Sequence, residues 1–150
     1  MNKNECYIGS PAGVVLCVDK HASGKTIGRF YHAYSTQEVP VTSMEGLIFS
    51  MERFFDKLGF PFPGTNQRMF RKISKEPIKK ERMIKVMKDD ELLRKHGDIG
   101  TFIIRVQHRQ HSSWQGLVTW EEGNETIPFR SALELIKMID GVIGKSQEEE

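Results

Sequence analysis

The chain has 150 residues, of which 38% are hydrophobic and 28% charged, enough for one packed core and ordinary for a folded globular domain. No apolar run approaches the ~20 residues needed to cross a bilayer, and the polar start Met1-Asn2-Lys3-Asn4-Glu5 lacks the apolar stretch of a secretion signal, so a cytoplasmic protein without membrane contact is expected. The net charge of +2 hides an asymmetry: residues 68–88 carry nine Lys and Arg against Glu76 and Glu81, a segment of +7 that leaves −5 for the rest.

In chain order, Val14-Val15-Leu16-Cys17-Val18 predicts a buried strand. Residues 21–25, His-Ala-Ser-Gly-Lys, supply turn chemistry. A second strand over 27–34 carries Phe30, Tyr31 and Tyr34, and 35–37 turn the chain. Val39-Pro40-Val41 predicts a short edge strand, because Pro40 has no N–H to give a ladder. Ser43 then caps a helix with a stripe of Leu47, Ile48, Met51, Phe54, Phe55 and Leu58, stopped at Gly59.

Residues 60–64, Phe-Pro-Phe-Pro-Gly, predict a rigid turn. Residues 78–87 read as a basic, weakly amphipathic helix or as a tether. Asp89 or Asp90 caps a short predicted helix over 91–96, ended by Gly97. The second half repeats the first: strands over 102–106, 115–120 and 127–129, with a turn over 121–125. Ser131 and Glu134 form a predicted capping box. The following stripe is Ala132, Leu135, Ile136, Ile139, Val142 and Ile143, and 145–150 form an acidic tail.

The two halves superimpose without a gap. Gly28 falls on Gly116, Pro40 on Pro128, Ser43 on Ser131, and Leu47-Ile48 on Leu135-Ile136. A three-strand sheet with one helix cannot bury its apolar face alone. The expectation is one α+β domain over 1–150, built from duplicated β-β-β-α units at about 14–58 and 102–143, mainly antiparallel and packed about a pseudo-two-fold. Its parts are repeat one (12–59), a basic connector (60–100), repeat two (101–144) and the tail.

Catalytic signals are missing. Ser43 and Ser131 are read as caps and Cys17 as a buried free thiol, with Cys6 and Cys17 too few for a disulfide scaffold. The histidines, His21, His32, His96, His108 and His111, lack metal-ligand spacing and read as surface groups. No G-x-S-x-G, Walker or dinucleotide glycine pattern occurs. A non-enzymatic protein with no cofactor and no metal is expected.

Residues 105–116 form the most unusual stretch, Arg-Val-Gln-His-Arg-Gln-His-Ser-Ser-Trp-Gln-Gly. On a regular strand Arg105, Gln107 and Arg109 share one face, opposite Ile104 and Val106. With Trp114 they make a predicted recognition surface, because Arg and aromatic side chains dominate binding hot spots. Trp120 belongs either to that face or to the core. Arg29 and Tyr31 are the corresponding residues of the first half.

The same stretch resembles the motifs of PilZ domains, R-x-x-x-R and D/N-x-S-x-x-G. Arg105 and Arg109 match the first; Ser113 and Gly116 match the second, with His111 in the Asp/Asn place. The resemblance covers 12 residues and implies cyclic-dinucleotide binding, although in that family the two patterns lie on separate segments and here they abut. The phrases 113–116 and 129–136 also resemble small bacterial proteins with this two-part layout, which implies a bacterial cytosolic protein and transfers no functional residue.

Recognition of a protein partner through Arg105, Arg109, Trp114, Arg29 and Tyr31 is the leading expectation. The alternative is weak nucleic-acid binding by the connector through Arg71, Lys72, Lys79, Lys80, Arg82 and Lys85, by phosphate neutralisation. Self-association as a homo-oligomer is compatible with either.

Overall fold

A computed structural model describes residues 8–63, 70, 83–110 and 113–148. Its elements are β1 (Val14–Ala22), β2 (Lys25–His32), β3 (Val39–Val41), α1 (Met44–Leu58), α2 (Asp89–Leu92), β4 (Gly100–His108), β5 (Gln115–Trp120), β6 (Glu125–Phe129) and α3 (Ala132–Glu148). The fold is α+β. One six-stranded antiparallel sheet runs in the order β3-β2-β1-β4-β5-β6. At its centre β1 pairs with β4, Val14 opposite Ile104 and Leu16 opposite Phe102.

The apolar runs Val14–Val18 of β1 and Phe102–Ile104 of β4 follow from this position, since a central strand covered on both faces needs no polar side. Val14, Leu16, Val18, Phe30, Phe102, Ile104 and Val106 share a core with α1 and α3. Val15, Cys17, Tyr31 and Ile103 point the other way and pack with Ile8, Met87 and Leu92. Helix α1 buries Leu47, Met51, Phe54 and Phe55 on one stripe. Each such side chain contributes roughly 1.5–3 kcal/mol before entropy is counted.

The helix ends are built as their residues require. Ser43 Oγ accepts from Gly46 N at 3.0 Å, and Gly59, at φ 74°, gives its N–H to Phe55 O at 2.8 Å. Ser131 Oγ likewise accepts from Glu134 N at 3.0 Å. The reciprocal half of the expected capping box is displaced by one residue. Glu134 accepts from Arg130 N at 2.8 Å rather than from the cap, because Arg130 offers both its amide and its guanidinium to that carboxylate.

Three further expectations are corrected. The first hairpin turns over only two residues, Ser23 and Gly24 at φ 55° and 75°, the left-handed pair that matches strand twist. Helix α2 is four residues long and starts after Lys88, whose N–H meets Glu91 Oε1 at 3.4 Å. Residues 83–87 are not helical: Val86 N and Met87 N both donate to Ala33 O, at 2.7 and 3.0 Å, so their partner is the residue just after β2 and not a preceding turn. Positions 78–82 of the expected connector helix lie outside the described residues.

Two bulges set the faces of the sheet. The register slips between Val18 and Lys20 on β1, and between Val106 and His108 on β4. Gly28 lies opposite Val18 and Gly116 opposite Val106. A Cβ on either glycine would sit 2.0 Å from Cys17 O or 1.9 Å from Arg105 O, so no larger residue fits. Both outer strands carry a proline, Pro40 opposite Arg29 and Pro128 opposite Leu117, which blunts edge-to-edge pairing. Among the described residues, no helix is long and apolar enough to cross a membrane.

Candidate functional site

The β4 bulge decides where the conspicuous arginines go. A one-residue slip reverses the alternation of side chains. Arg105 therefore stays on the face of Ile103, 2% exposed, with Nη2 donating to Thr119 Oγ1 at 2.8 Å. Arg109 turns to the helix side, 4% exposed, and does not share a face with Arg105. Its Nε donates to Pro61 O at 2.6 Å, and its Nη1 to Glu52 at 3.1 Å and Asp56 at 2.8 Å. The guanidinium also lies 5.7 Å from the Phe55 ring centre.

Trp114 is buried in the same place. Its Nε1 donates to Glu52 Oε1 at 2.8 Å, and its indole meets Phe55 edge-on at 5.3 Å. The expected exposed Arg/Trp face is thus divided: Arg109 and Trp114 form an internal clamp between the β4–β5 loop and α1, and Arg105 is buried on the other face. The PilZ-like residues that are described do not converge either, and His111 lies outside the described residues. Their arginines occupy opposite faces, Ser113 Oγ accepts from Ala132 N at 3.0 Å, and Gly116 serves the bulge. Trp120 is partly buried against the helix-side core.

Arg29 and Tyr31 lie on the opposite face, beneath residues 95–99. Arg29 pairs with Asp19, donates from Nε to Tyr31 Oη at 2.9 Å, and donates from Nη2 to His96 O at 3.0 Å. Hydrogen bonding to Asp19, then to Tyr31, holds it charged. Lys95 Nζ lies 5.0 Å from the Tyr31 ring centre. Nearby, Ile99 N donates to Val18 O at 2.9 Å and Asp98 N to Asp19 Oδ1 at 3.1 Å. Burial raises the Glu121 carboxyl above its ordinary value against the opposing pull of His96, 3.4 Å away. Burial also pushes the Cys17 thiol up to about 12, so it is inert. This cluster straps a loop to the sheet.

A groove of about 260 Å³ opens between β2, β3, α1 and Met83. Phe30, Val39 and Phe54 give it an apolar lining, with His32, Ser50, Arg53 and Lys57 as its polar members. His32, expected at the surface, is 8% exposed and stacks on Phe54 with ring centres 4.1 Å apart and planes 11° from parallel. Its Nδ1 accepts from Tyr34 N at 3.1 Å, which assigns the proton to Nε2. Burial lowers its pKa to about 4, so the ring is a neutral donor at pH 7.

Arg53 and Lys57 are exposed, one helical turn apart along α1. Arg53 donates to Ser50 Oγ at 3.3 Å. Neither cation has an ion pair among the described residues. Spacing alone groups His32 with the surface histidines and so does not reveal this site. Its place two residues after Phe30, on the same strand face, was the available signal.

Among the described residues, no three His, Cys, Asp or Glu gather as metal ligands. Of the connector residues considered for nucleic acid, Lys85 is exposed. Arg71, Lys72, Lys79, Lys80 and Arg82 lie outside the described residues. No family model, curated protein or solved structure matches this chain.

Proposed function

We propose that this protein is a non-enzymatic binding module that recognises a protein partner through the groove beside α1. The observation that carries the reading is the groove's size and lining. At about 260 Å³ it falls below the usual range of drug-sized ligand and cofactor sites. It suits one inserted side chain, and buried anchors of that kind dominate protein interfaces. The residues first expected to recognise the partner, Arg105, Arg109, Trp114, Arg29 and Tyr31, are engaged in bonds within the chain, which favours the groove over them.

Matched features of the two halves, which we read as a duplicated scaffold, support this reading. An offset of 88 (116 − 28) relates the two bulge glycines, the two edge prolines and the two helix caps. The same offset relates two reciprocal contacts. His21 faces Asp140 at 3.7 Å, and Arg109 faces Glu52 at 3.1 Å, each joining one half's first hairpin to the other half's helix. Under this pairing, His32, Ser50 and Arg53 correspond to Trp120, Met138 and Gly141. Trp120 and Met138 pack onto the core. The second half thus places large apolar groups where the first half keeps its groove, so the groove is a local specialisation and not a by-product of the scaffold.

Cross-linking tests the proposal. A photoreactive benzoylphenylalanine at Phe49, 62% exposed on α1, is expected to capture a discrete protein in the cells that express the chain. The same probe at exposed Lys137 on α3 serves as the control. Closing the groove with Ser50→Trp should abolish the Phe49 adduct. An adduct that is identical at both probe sites, or insensitive to Ser50→Trp, removes the groove from the account. Nucleic-acid binding by the +7 segment is the second reading, favoured by that charge run. It predicts binding that weakens steeply with salt and survives Ser50→Trp.

A further inference from the structure

We infer that the occupant of the groove is an acidic segment of the partner, with one apolar side chain inserted and carboxylates lying against the rim. This rests on the docking reading above and adds the chemistry of the ligand. The lining Phe30, Val39 and Phe54 accepts an apolar group and offers it nothing polar. Around it, every polar group identified is a donor or a hydroxyl: the neutral His32 ring with its proton on Nε2, the Ser50 hydroxyl, and the Arg53 and Lys57 cations. A basic segment would meet like charge there.

The acids nearest on α1 do not neutralise the rim. Glu52 and Asp56 are engaged by Arg109, and Glu52 also by Trp114. In the adjoining chain exposed Lys85, two residues beyond Met83, and exposed Glu38, next to Val39, offset one another, so Arg53 and Lys57 set the sign of the rim. The rim cations are solvent-exposed, so they act chiefly on association rate and discrimination, while the anchor supplies the binding energy. Both elements are therefore required in the ligand.

The test uses the whole chain and three fluorescently labelled peptides of one scaffold, read by anisotropy. One is acidic with a central Phe anchor, one is acidic with Ser in place of the anchor, and one keeps Phe but replaces the acids by Lys. The acidic anchored peptide is expected to bind about tenfold or more tighter than either other. With Arg53→Glu and Lys57→Glu combined, the preference should pass to the Lys-bearing anchored peptide. Both residues are exposed, so the double variant should fold, which its circular dichroism checks.

Equal binding of the two anchored peptides, both blocked by Ser50→Trp, overturns the acidic inference and leaves the docking reading standing. Failure of every anchored peptide to bind in a Ser50-dependent way removes both. Displacement of the acidic peptide by a single-stranded oligonucleotide at comparable concentration would make the groove a phosphate site and overturn the inference as well.

Discussion

Replacing Arg109 by Ala tests the structural reading of the most conspicuous residues. The side chain is 3% exposed and donates three charge-assisted or strong hydrogen bonds, to Pro61 O, Glu52 and Asp56. Bonds to charged groups contribute roughly 1.5–3 kcal/mol each, and breaking a fully buried pair costs roughly 3–5 kcal/mol. Here the orphaned carboxylates are 40% and 31% exposed and regain water, which discounts the loss. We expect about 2–4 kcal/mol in all. For a domain of this size that lowers Tm by roughly 5–15 °C. Arg109→Lys should recover little, because an ammonium cannot reach three divergent acceptors at once. The comparison is Asp140→Ala. Its contact with His21 is 3.7 Å long with Asp140 62% exposed, and its loss should cost under about 1 kcal/mol. Urea denaturation of the three variants decides. An Arg109→Ala loss within about 1 kcal/mol of the Asp140→Ala loss would refute the clamp.

Glycine substitutions should separate by the space around them. Gly28→Ala or Gly116→Ala forces Cβ into a carbonyl and should destabilise by more than about 3 kcal/mol, whereas Gly141→Ala, with nothing within 4 Å on α3, should stabilise by roughly 0.5–1 kcal/mol; thermal melts measure all three. His32 predicts a pH dependence. Its folded pKa, about 4, lies below the unfolded value near 6.5, so the unfolded chain binds the extra proton and stability is lost as pH falls from about 6.5 to about 4. The full loss is about 3 kcal/mol, and His32→Phe should flatten that part of the profile relative to the parent chain. In a Cys6→Ser background, Cys17 should react with a thiol reagent only through global unfolding, so labelling in native buffer should be slow and should accelerate with urea.

Much of the scaffold was legible because local chemistry and global packing agree. The stripe from Leu47 to Leu58, the Ser43 cap, the Gly59 stop and the edge position of Pro40 all follow from spacing and backbone preference. What escaped depended on one extra residue in a strand. The β4 bulge sends Arg109 to the side opposite Arg105, and no period-two reading of 105–109 can show that. Gly116 was visible as a constraint, but its cause, the approach of Arg105 O, needed the paired strand. The groove was hidden for a related reason. His32, Arg53 and Lys57 are separated in sequence and acquire meaning only when α1 lies beside β2 and β3.

The central claim is that recognition and stability reside in different residues: the groove around Lys57 binds, and the clamp around Arg109 holds the fold. The direct measurement pairs Tm with cross-linking yield from Phe49, taken well below each variant's melting point. The account predicts that Lys57→Glu leaves Tm nearly unchanged and lowers the adduct yield, while Arg109→Ala lowers Tm and retains it. An adduct yield unchanged by Lys57→Glu and lost by a still-folded Arg109→Ala would contradict it.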